Sequence, residues 1–292
     1  MSHGELIWEM SDEDVIRNLP QKSIRSHRRV SVMSLPDSVA GSYDLTRHAD
    51  TYITTRLAHY LGFVPENSYL DLACGTGNYT LALCRPGLRF WGVDRSLWML
   101  STARQKSNSI PWCLGTAEAL PFSDGSFSGA ICVLAIHYFK GLEQAFAEVA
   151  RVLGCGQFII FTATPEQMRG YWLNEYFPKA MKKSIEQMPG ETRVIDALEG
   201  AGFTSIRMEP YNVRDDLEDF FFYSGKHRPE IYLDPQVRAG ISTFSIHAEA
   251  QEVEDGCQRL EADIRSGHIN RLITSHEGSN KGDYLFIIGH KR

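Results

Sequence analysis

One segment of the sequence constrains the fold more than any other, and it is YLDLACGTGNYTLAL at residues 69–83. A short apolar run leads into Gly75 and Gly77, and an apolar pattern with helical spacing follows them. Glycine lets a backbone turn sharply and approach a ligand closely, and a helix that begins behind such a turn presents free N–H groups. The segment therefore predicts a strand, a ligand-binding loop and a helix in succession.

Strands and helices alternate along the middle of the chain. Short apolar runs bounded by Gly, Pro, Asp or Asn predict strands at SYLDLA (68–73), FWGVD (90–94), FSGAICVLA (127–135) and GQFIIFTA (156–163). Apolar residues recur at helical spacing in the intervening runs TLALCR, SLWMLSTARQK and GLEQAFAEVARVL. This alternation predicts an α/β fold, with a Rossmann-like, doubly wound, mostly parallel sheet and helices on both of its faces.

The sequence divides into three zones. Residues 1–60 are a predicted N-terminal helical segment that includes SDEDVIRNL, residues 61–163 are the predicted Rossmann-like core, and residues 164–292 contain a cap and the last strands. The cap is predicted from a long aromatic helical stretch, PEQMRGYWLNEYFPKAMKKSIEQ, and from a helical insertion that contains DLEDFFFYSGKHRPEIY and VEDGCQRLEADIRSG. DYLFIIGHK predicts a final strand, which completes the sheet.

Composition and charge exclude several classes of protein. A chain of 292 residues with 43% hydrophobic residues can bury a core as one large domain, or as one domain with an insertion. The net charge of −6 has the wrong sign for a protein that binds nucleic-acid phosphates. No run approaches the ~18 consecutive apolar residues of a membrane helix, so we expect a cytoplasmic protein without membrane contact. The six cysteines are scattered without CxxC spacing, which predicts reduced thiols and no metal site.

Two acidic residues indicate the chemistry of the ligand. Asp94 ends the second predicted strand, 17 residues after Gly77, where a carboxylate can accept hydrogen bonds from ribose hydroxyls. Thr80 stands where the dinucleotide fingerprint has its third glycine, and Asp71 at the end of the first strand disfavours phosphates. The loop therefore predicts a cationic or ammonium-bearing ligand rather than NAD. The alternative is that Asp71 caps the turn and the glycines only shape it.

From about Ser42 to Phe161 the sequence resembles the class I S-adenosylmethionine-dependent methyltransferases, in particular the UbiE-like, type 11 group. The resemblance rests on LDLACGTGN in the glycine loop, on GVDRS after the second strand, and on GTAEALPFSDGSFSGAICVLAIHYF and GLEQAFAEVARVLGCGQFIIF further along. It implies a seven-stranded sheet with a helical cap, S-adenosylmethionine as the cofactor, and methyl transfer as the reaction.

The resemblance also assigns cofactor contacts to particular residues. They are Tyr43, Arg47, Asp71, Ala73, Gly75, Gly77, Asp94, Arg95, Ala117 and Glu118. The glycine loop would line the methionine end, Asp94 would hold the ribose, and Ala117 and Glu118 would flank the adenine. SYDLTR, residues 42–47, resembles the helix that closes over the cofactor, with Tyr43 over the sulfonium and Arg47 at the carboxylate. An ordinary surface ion pair is the alternative for Arg47.

Candidate catalytic residues lie near the expected position of the transferred methyl group. His137 and Tyr138 follow the fourth strand at the carboxyl end of the sheet, where His137 is either a general base or a capping or wall residue. Tyr176 belongs to YWLNEYF, residues 171–177, which forms either an aromatic lid over an apolar acceptor and the sulfonium or the core of the cap.

Three functions are compatible with this reading. The first is methyl transfer to a small-molecule acceptor, because no Asn-Pro-Pro-Tyr or Asp-Pro-Pro-Tyr tetrapeptide marks a base-methylating enzyme and the chain is acidic. The second is cyclisation of the cofactor itself with release of methylthioadenosine, as in azetidine-2-carboxylate synthases. The third is a protein that binds the cofactor or a partner without catalysis. The sequence does not identify the acceptor, and it leaves the oligomeric state open.

Overall fold

The computed structural model describes residues 43–276 and 281–292, so the predicted helix at SDEDVIRNL lies outside the described residues. The strands are β1 Ser68–Leu72, β2 Arg89–Asp94, β3 Trp112–Leu114, β4 Phe127–Val133, β5 Leu153–Thr162, β6 Thr204–Tyr211 and β7 Tyr284–Lys291. The α-helices are α1 Tyr43–Thr46, α2 Thr51–Leu61, α3 Asn78–Leu83, α4 Leu97–Lys106, α5 Leu142–Val152, α6 Pro165–Arg169, α7 Pro178–Gln187, α8 Glu191–Gly200, α9 Pro235–Ala239, α10 Ala250–Ser266 and α11 His268–His276.

The strands form one seven-stranded sheet in the order β3-β2-β1-β4-β5-β7-β6. β1 to β5 pair in parallel, whereas β7 runs antiparallel to both β5 and β6. This sheet confirms the predicted doubly wound, mostly parallel fold. The strand order reverses between β1 and β4, and ligands of such sheets bind in the crevice outside the carboxyl ends of the strands at that reversal.

Apolar layers cover both faces of the sheet. On one face Ile53 and Leu57 of α2 are fully buried together with Phe161 of β5, and the cap residues join the same cluster. On the other face Phe146 of α5 and Leu198 of α8 are fully buried in a second cluster. Strands with apolar cover on both sides are expected to be continuous apolar runs, which is why they could be recognised in the sequence. No helix of the described residues has both the length and the apolar character needed to cross a membrane.

The long helical stretch that the sequence predicts after β5 is broken into three pieces. α6 ends at Arg169, a 3₁₀ turn spans Trp172–Glu175, and α7 begins at Pro178. Proline has no N–H to donate and disfavours the helical conformation of the residue before it, and Phe177 accordingly has φ −129° and ψ 54°. The apolar periodicity was real, but it continued across a break that proline chemistry imposes.

The helix predicted from DLEDFFFYSGKHRPEIY is wrong. The only helical part of this stretch is a 3₁₀ turn at Pro229–Leu233. Tertiary hydrogen bonds hold the rest in an irregular path, since the Tyr232 hydroxyl donates to the Phe222 carbonyl and accepts from the Gly225 N–H. The prediction for VEDGCQRLEADIRSG is confirmed, because α10 covers it.

Two strands end in left-handed backbone at the reversal point of the sheet. Ala73, just after β1, has φ 57°, and Leu134, just after β4, has φ 54°. This conformation costs non-glycine residues of order 1 kcal/mol or more and is concentrated at functional sites. It also ends β4 at Val133, two residues before the predicted end of that strand.

Phe161→Ala should lower the free energy of unfolding by roughly 3–5 kcal/mol, because a fully buried ring would leave a cavity. The ring packs against Tyr284 at 5.4 Å and Phe286 at 4.7 Å between centroids. Urea denaturation measures the change, with the half-exposed Val64→Ala as the control. A loss below about 1 kcal/mol would show that the sheet and cap do not depend on this contact.

Candidate cofactor and acceptor site

A cleft opens where β1 and β4 diverge, and three parts of the chain line it. They are the N-terminal segment that contains α1, the glycine loop, and the insertion between β6 and β7. The cleft holds about 440 Å³ of space, open solvent included. Its lining residues are Tyr43, Arg47, His48, Asp71, Ala73, Cys74, Gly75, Thr76, Asn78, Tyr79, Val133 and Asp219.

The glycine loop can adopt its path only with glycine at position 77. Gly75 has φ 55° and Gly77 has φ 77°, a conformation that L side chains rarely adopt. A Cβ atom at Gly77 would stand 2.4 Å from the ring of Trp112, which packs behind the loop. The loop is therefore pressed against β3.

Asp94 holds the glycine loop against the end of β2. Its carboxylate accepts hydrogen bonds from the Gly75 N–H at 2.9 Å and the Ser96 N–H at 2.8 Å. Burial raises the pKa of Asp94, while these two bonds and the charge of Arg95 oppose that change. A carboxylate accepts about four hydrogen bonds, so Asp94 keeps capacity for ribose hydroxyls, which is the predicted role.

Asp71 lies under the cleft with a perturbed acidity. It is 2% exposed, and the Thr80 hydroxyl donates to its Oδ2 at 2.5 Å. Burial raises the pKa of Asp71 to about 7, and the charge of Asp94 acts in the same direction. A cationic ligand above Asp71 would favour its ionised form. Thr80, which replaces the third fingerprint glycine, is therefore a partner of the carboxylate.

Arg47 and Asp219 form a buried ion pair in the lining of the cleft. Arg47 Nε donates to Asp219 Oδ1 at 2.6 Å and Nη2 donates to Oδ2 at 3.3 Å. Their side chains are 13% and 1% exposed, so the alternative of a surface ion pair for Arg47 is wrong. The Tyr79 hydroxyl donates to Asp219 Oδ2 at 3.1 Å, and Arg47 Nη1 donates to the Tyr43 hydroxyl at 3.0 Å. Burial raises the pKa of Tyr43 to about 12, so its hydroxyl stays neutral.

Asp44 attaches the N-terminal segment to the glycine loop. It accepts hydrogen bonds from the Thr76 hydroxyl at 2.6 Å and from Asn78 Nδ2 at 3.1 Å, and Lys106 Nζ lies 2.6 Å from its other oxygen. Asn78 Nδ2 also donates to the Arg47 carbonyl at 2.8 Å. Neither Asp44 nor Asp219 was predicted as a site residue, because no sequence pattern assigns a role to either of them. SYDLTR did mark the segment that carries Asp44.

The two residues predicted to flank the adenine lie beyond β3. Ala117 is 8% exposed and packs with the apolar residues of the second face. The Glu118 carboxylate accepts a hydrogen bond from the Lys140 N–H at 2.7 Å, so its side chain is engaged at the start of α5. An adenine contact of Glu118 is therefore a prediction for its backbone rather than for its carboxylate.

His137 and Tyr138 lie in a 3₁₀ turn that follows β4, and neither is among the residues that line the cleft. Burial raises the pKa of Tyr138, a hydrogen bond to Ser242 lowers it, and the charges of Arg47 and Arg95 lower it further. The Tyr138 hydroxyl therefore lies near enough to Arg47 and Arg95 to be affected by both charges. The His137 ring lies 4.0 Å from the Tyr138 ring, and burial, with a smaller contribution from His247, lowers the pKa of His137 to about 4.

Tyr176 is part of the cap core and does not line the cleft. Its ring is 2% exposed and meets Trp172 edge-on at 5.9 Å, and its hydroxyl donates to Asp263 at 2.7 Å. The neighbouring Tyr171 stacks on Tyr223 with centroids 3.5 Å apart. The aromatic residues of YWLNEYF are therefore the core of the cap, and the catalytic role predicted for Tyr176 is not supported by its position.

The site fits S-adenosylmethionine on its own geometry. The glycine loop leaves room for a close backbone approach, Asp94 has free acceptor capacity, and Asp71 is a buried carboxylate that a cation would ionise. Within the described residues, no three His, Cys, Asp or Glu side chains come close enough together to hold a metal ion.

Comparisons with known proteins give the same class. Residues 70–161 match the methyltransferase domain family. A solved structure from Anabaena variabilis, described as a methyltransferase from an antibiotic biosynthesis pathway, is 31% identical, covers 83% of this chain and 98% of its own, and superposes with a TM-score of 0.74. The demethylmenaquinone methyltransferase of Chlorobaculum tepidum is 29% identical over 64% of this chain and 90% of its own length. The chain therefore belongs to the class I S-adenosylmethionine-dependent methyltransferases, in the type 11 group. Its cofactor is the one that defines this class, S-adenosylmethionine.

The affinity for S-adenosylmethionine should rise as the pH increases from about 6 to about 8, because Asp71 ionises in this range and attracts the cationic ligand. The stability of the protein should change with pH in the opposite direction to the affinity. A carboxyl whose folded pKa is raised stabilises the protein fully below its ordinary pKa of 3.8, and this contribution is lost as the pH rises through about 7. Calorimetric titration at several pH values measures the affinity. Asp71→Asn is the control, and a pH dependence that survives this substitution would contradict the assignment.

Proposed function

We propose that this methyltransferase transfers its methyl group to a small-molecule acceptor bound between the turn at Ile136–Tyr138 and the cap. The buried Nδ1 atom of His137 is the observation that carries the proposal, because it has no hydrogen-bond partner among the described residues. Buried polar atoms are nearly always paired, so an orphaned one at the carboxyl end of β4 indicates a ligand partner.

The position of the acceptor follows from the two ends of the cofactor site. Asp94 lies at the end predicted for the ribose, and Arg47 lies at the end predicted for the amino-acid carboxylate. The charges of Arg47 and Arg95 both reach the Tyr138 hydroxyl. This supports a position of Tyr138 over the middle of the cofactor, next to the methyl group, with His137 beside it.

We assign to His137 the proton that the acceptor loses while the methyl group is transferred, because a histidine with a pKa of about 4 is too weak a base to remove it earlier. With a pKa of about 4 the imidazole is neutral near pH 7, so one ring nitrogen is an acceptor. When bound, S-adenosylmethionine supplies an electrophilic methyl group on a sulfonium that departs as a neutral thioether. The acceptor forms the new bond to that methyl group, and its proton passes to His137. The protein otherwise contributes alignment and exclusion of water.

The relatives indicate which acceptors to test first. The proteins from Chlorobaculum tepidum and Chlorobaculum parvum are demethylmenaquinone methyltransferases, at 29% and 28% identity over 219 residues. A reduced quinone has a hydroxyl oxygen and a ring carbon that can each attack the methyl group. The proton on the attacked atom becomes strongly acidic as the new bond forms, so the neutral imidazole of His137 can accept it. We propose hydroquinone-type and phenolic small molecules as the leading acceptor class.

The net charge and the state of the cysteines support two further parts of the proposal, the class of acceptor and the location of the protein. The net charge of −6 disfavours a nucleic-acid acceptor. All six cysteines lie in the described residues and none is in a disulfide, which supports a reducing, cytoplasmic location.

Product analysis tests this function. The purified protein is incubated with S-adenosylmethionine alone and with a panel of reduced quinones, phenols and amines, and the products are followed by mass spectrometry. We expect S-adenosylhomocysteine together with an acceptor that is heavier by one methylene. Formation of methylthioadenosine in the absence of an acceptor would overturn the proposal, and so would a cofactor that is bound but never consumed.

His137→Gln should reduce kcat by roughly 10²–10⁴-fold and leave the affinity for the cofactor unchanged, because it removes only the proton acceptor. The wild-type rate should not show an ionisation of histidine between pH 6 and pH 8, since the pKa of His137 is about 4. His268→Gln changes an exposed histidine of α11 and is the matched control. An unchanged kcat in His137→Gln would make this residue part of the wall.

A further inference from the structure

We propose that Arg47 and Asp219 together form the binding site for the amino-acid end of the cofactor. Asp219 accepts a hydrogen bond from the α-ammonium group, and Arg47 donates a hydrogen bond to the carboxylate. The inference rests on the function proposed above. It adds a binding residue, Asp219, that belongs to none of the methyltransferase motifs and comes from the insertion between β6 and β7.

The first step is the direction of the cofactor in the cleft. Asp94, the residue for the ribose, is not part of the cleft lining and lies toward β2 and β3. The cleft itself is lined by Asp71 and the glycine loop on one side and by Arg47 and Asp219 on the other. An adenosine held at Asp94 therefore directs its amino-acid chain toward the ion pair.

The second step is the hydrogen-bonding capacity of the pair. A guanidinium has five N–H donors. Arg47 uses four of them within the described residues, two on Asp219, one on the Tyr43 hydroxyl and one on the Gly240 carbonyl at 3.3 Å. Asp219 accepts three bonds, from Arg47 Nε on Oδ1 and from Arg47 Nη2 and Tyr79 on Oδ2. One N–H of Arg47 Nη2 and one acceptor position of Asp219 Oδ1 therefore remain for a ligand.

The third step is complementarity. The amino-acid end of the cofactor carries an ammonium group and a carboxylate on the same carbon atom, so it needs one acceptor and one donor next to each other. In the ion pair, Asp219 provides the acceptor for the ammonium group and Arg47 provides the donor for the carboxylate. The ion pair has no net charge, and neither has the amino-acid end of the cofactor. Binding therefore buries no uncompensated charge, and the low dielectric around the buried pair strengthens each hydrogen bond.

Binding of three ligands with a neutral sulfur tests the inference. S-adenosylhomocysteine has the whole amino-acid end, its deaminated analogue has only the carboxylate, and methylthioadenosine has neither group. Calorimetry is carried out on the wild type, on Asp219→Asn and on Asp215→Asn. Asp215 is 88% exposed in the same insertion, so its substitution is a control with the same change of charge.

We expect Asp219→Asn to bind S-adenosylhomocysteine about tenfold or more weakly, because it loses a charge-assisted hydrogen bond to the ammonium group. The affinities for methylthioadenosine and for the deaminated analogue should not fall, and Asp215→Asn should behave as the wild type. If Asp219→Asn does not fold, Tyr79→Phe replaces it. Tyr79→Phe removes one bond that orients Asp219, and a loss of about threefold confined to S-adenosylhomocysteine is then expected.

Each of the other possible results contradicts either this inference or the proposed function on which it rests. An unchanged ratio between S-adenosylhomocysteine and methylthioadenosine in Asp219→Asn, or in Tyr79→Phe where it serves instead, overturns the inference and leaves the methyltransferase function intact. An equal loss for all three ligands means that Asp219 is only structural. Tighter binding of S-adenosylhomocysteine means that Asp219 competes for Arg47. A wild type that binds none of the three ligands refutes the proposed function itself.

Discussion

The ion pair between Arg47 and Asp219 joins the parts of the chain that enclose the site. Burying two opposite charges is unfavourable unless their remaining hydrogen-bonding groups are satisfied. Tyr43, Tyr79 and the Gly240 carbonyl provide that satisfaction from three different elements. The N-terminal segment and the insertion meet at this pair, and both contribute residues to the lining of the cleft.

The sheet supplies the rigid side of the same site. Asp94 anchors the glycine loop to the end of β2, and the ring of Trp112 packs so closely behind Gly77 that no side chain fits there. Asp44 then fastens the N-terminal segment to the loop through Thr76 and Asn78. Backbone strain at Ala73 and Leu134 lies at the ends of the two strands that flank the cleft. A strained, tightly held loop keeps its own backbone N–H groups in a fixed orientation before the ligand binds.

The acceptor site that we propose is built on different principles. Its polar groups are few and buried, with His137 and Tyr138 on the turn after β4 and Ser242 on the insertion. The dense aromatic residues of the cap pack on each other and stabilise the insertion instead of facing the cleft. Because many functions share one sheet, the choice of acceptor depends on these few side chains and on the cap that surrounds them.

Local chemistry was enough to predict much of the molecule. Apolar runs predicted β1, β2, β4, β5 and β7 but not the short β3, and the glycines at 75 and 77 with Asp71 and Asp94 marked the cofactor loop. Strand burial and left-handed turns depend on residue type at short range. Only the tertiary structure decided that Arg47 pairs with Asp219 172 residues away, that Tyr176 bonds Asp263 in the cap, and that residues 212–228 are not helical. These outcomes depend on long-range partners for buried polar groups, and no local periodicity encodes which partner will be near.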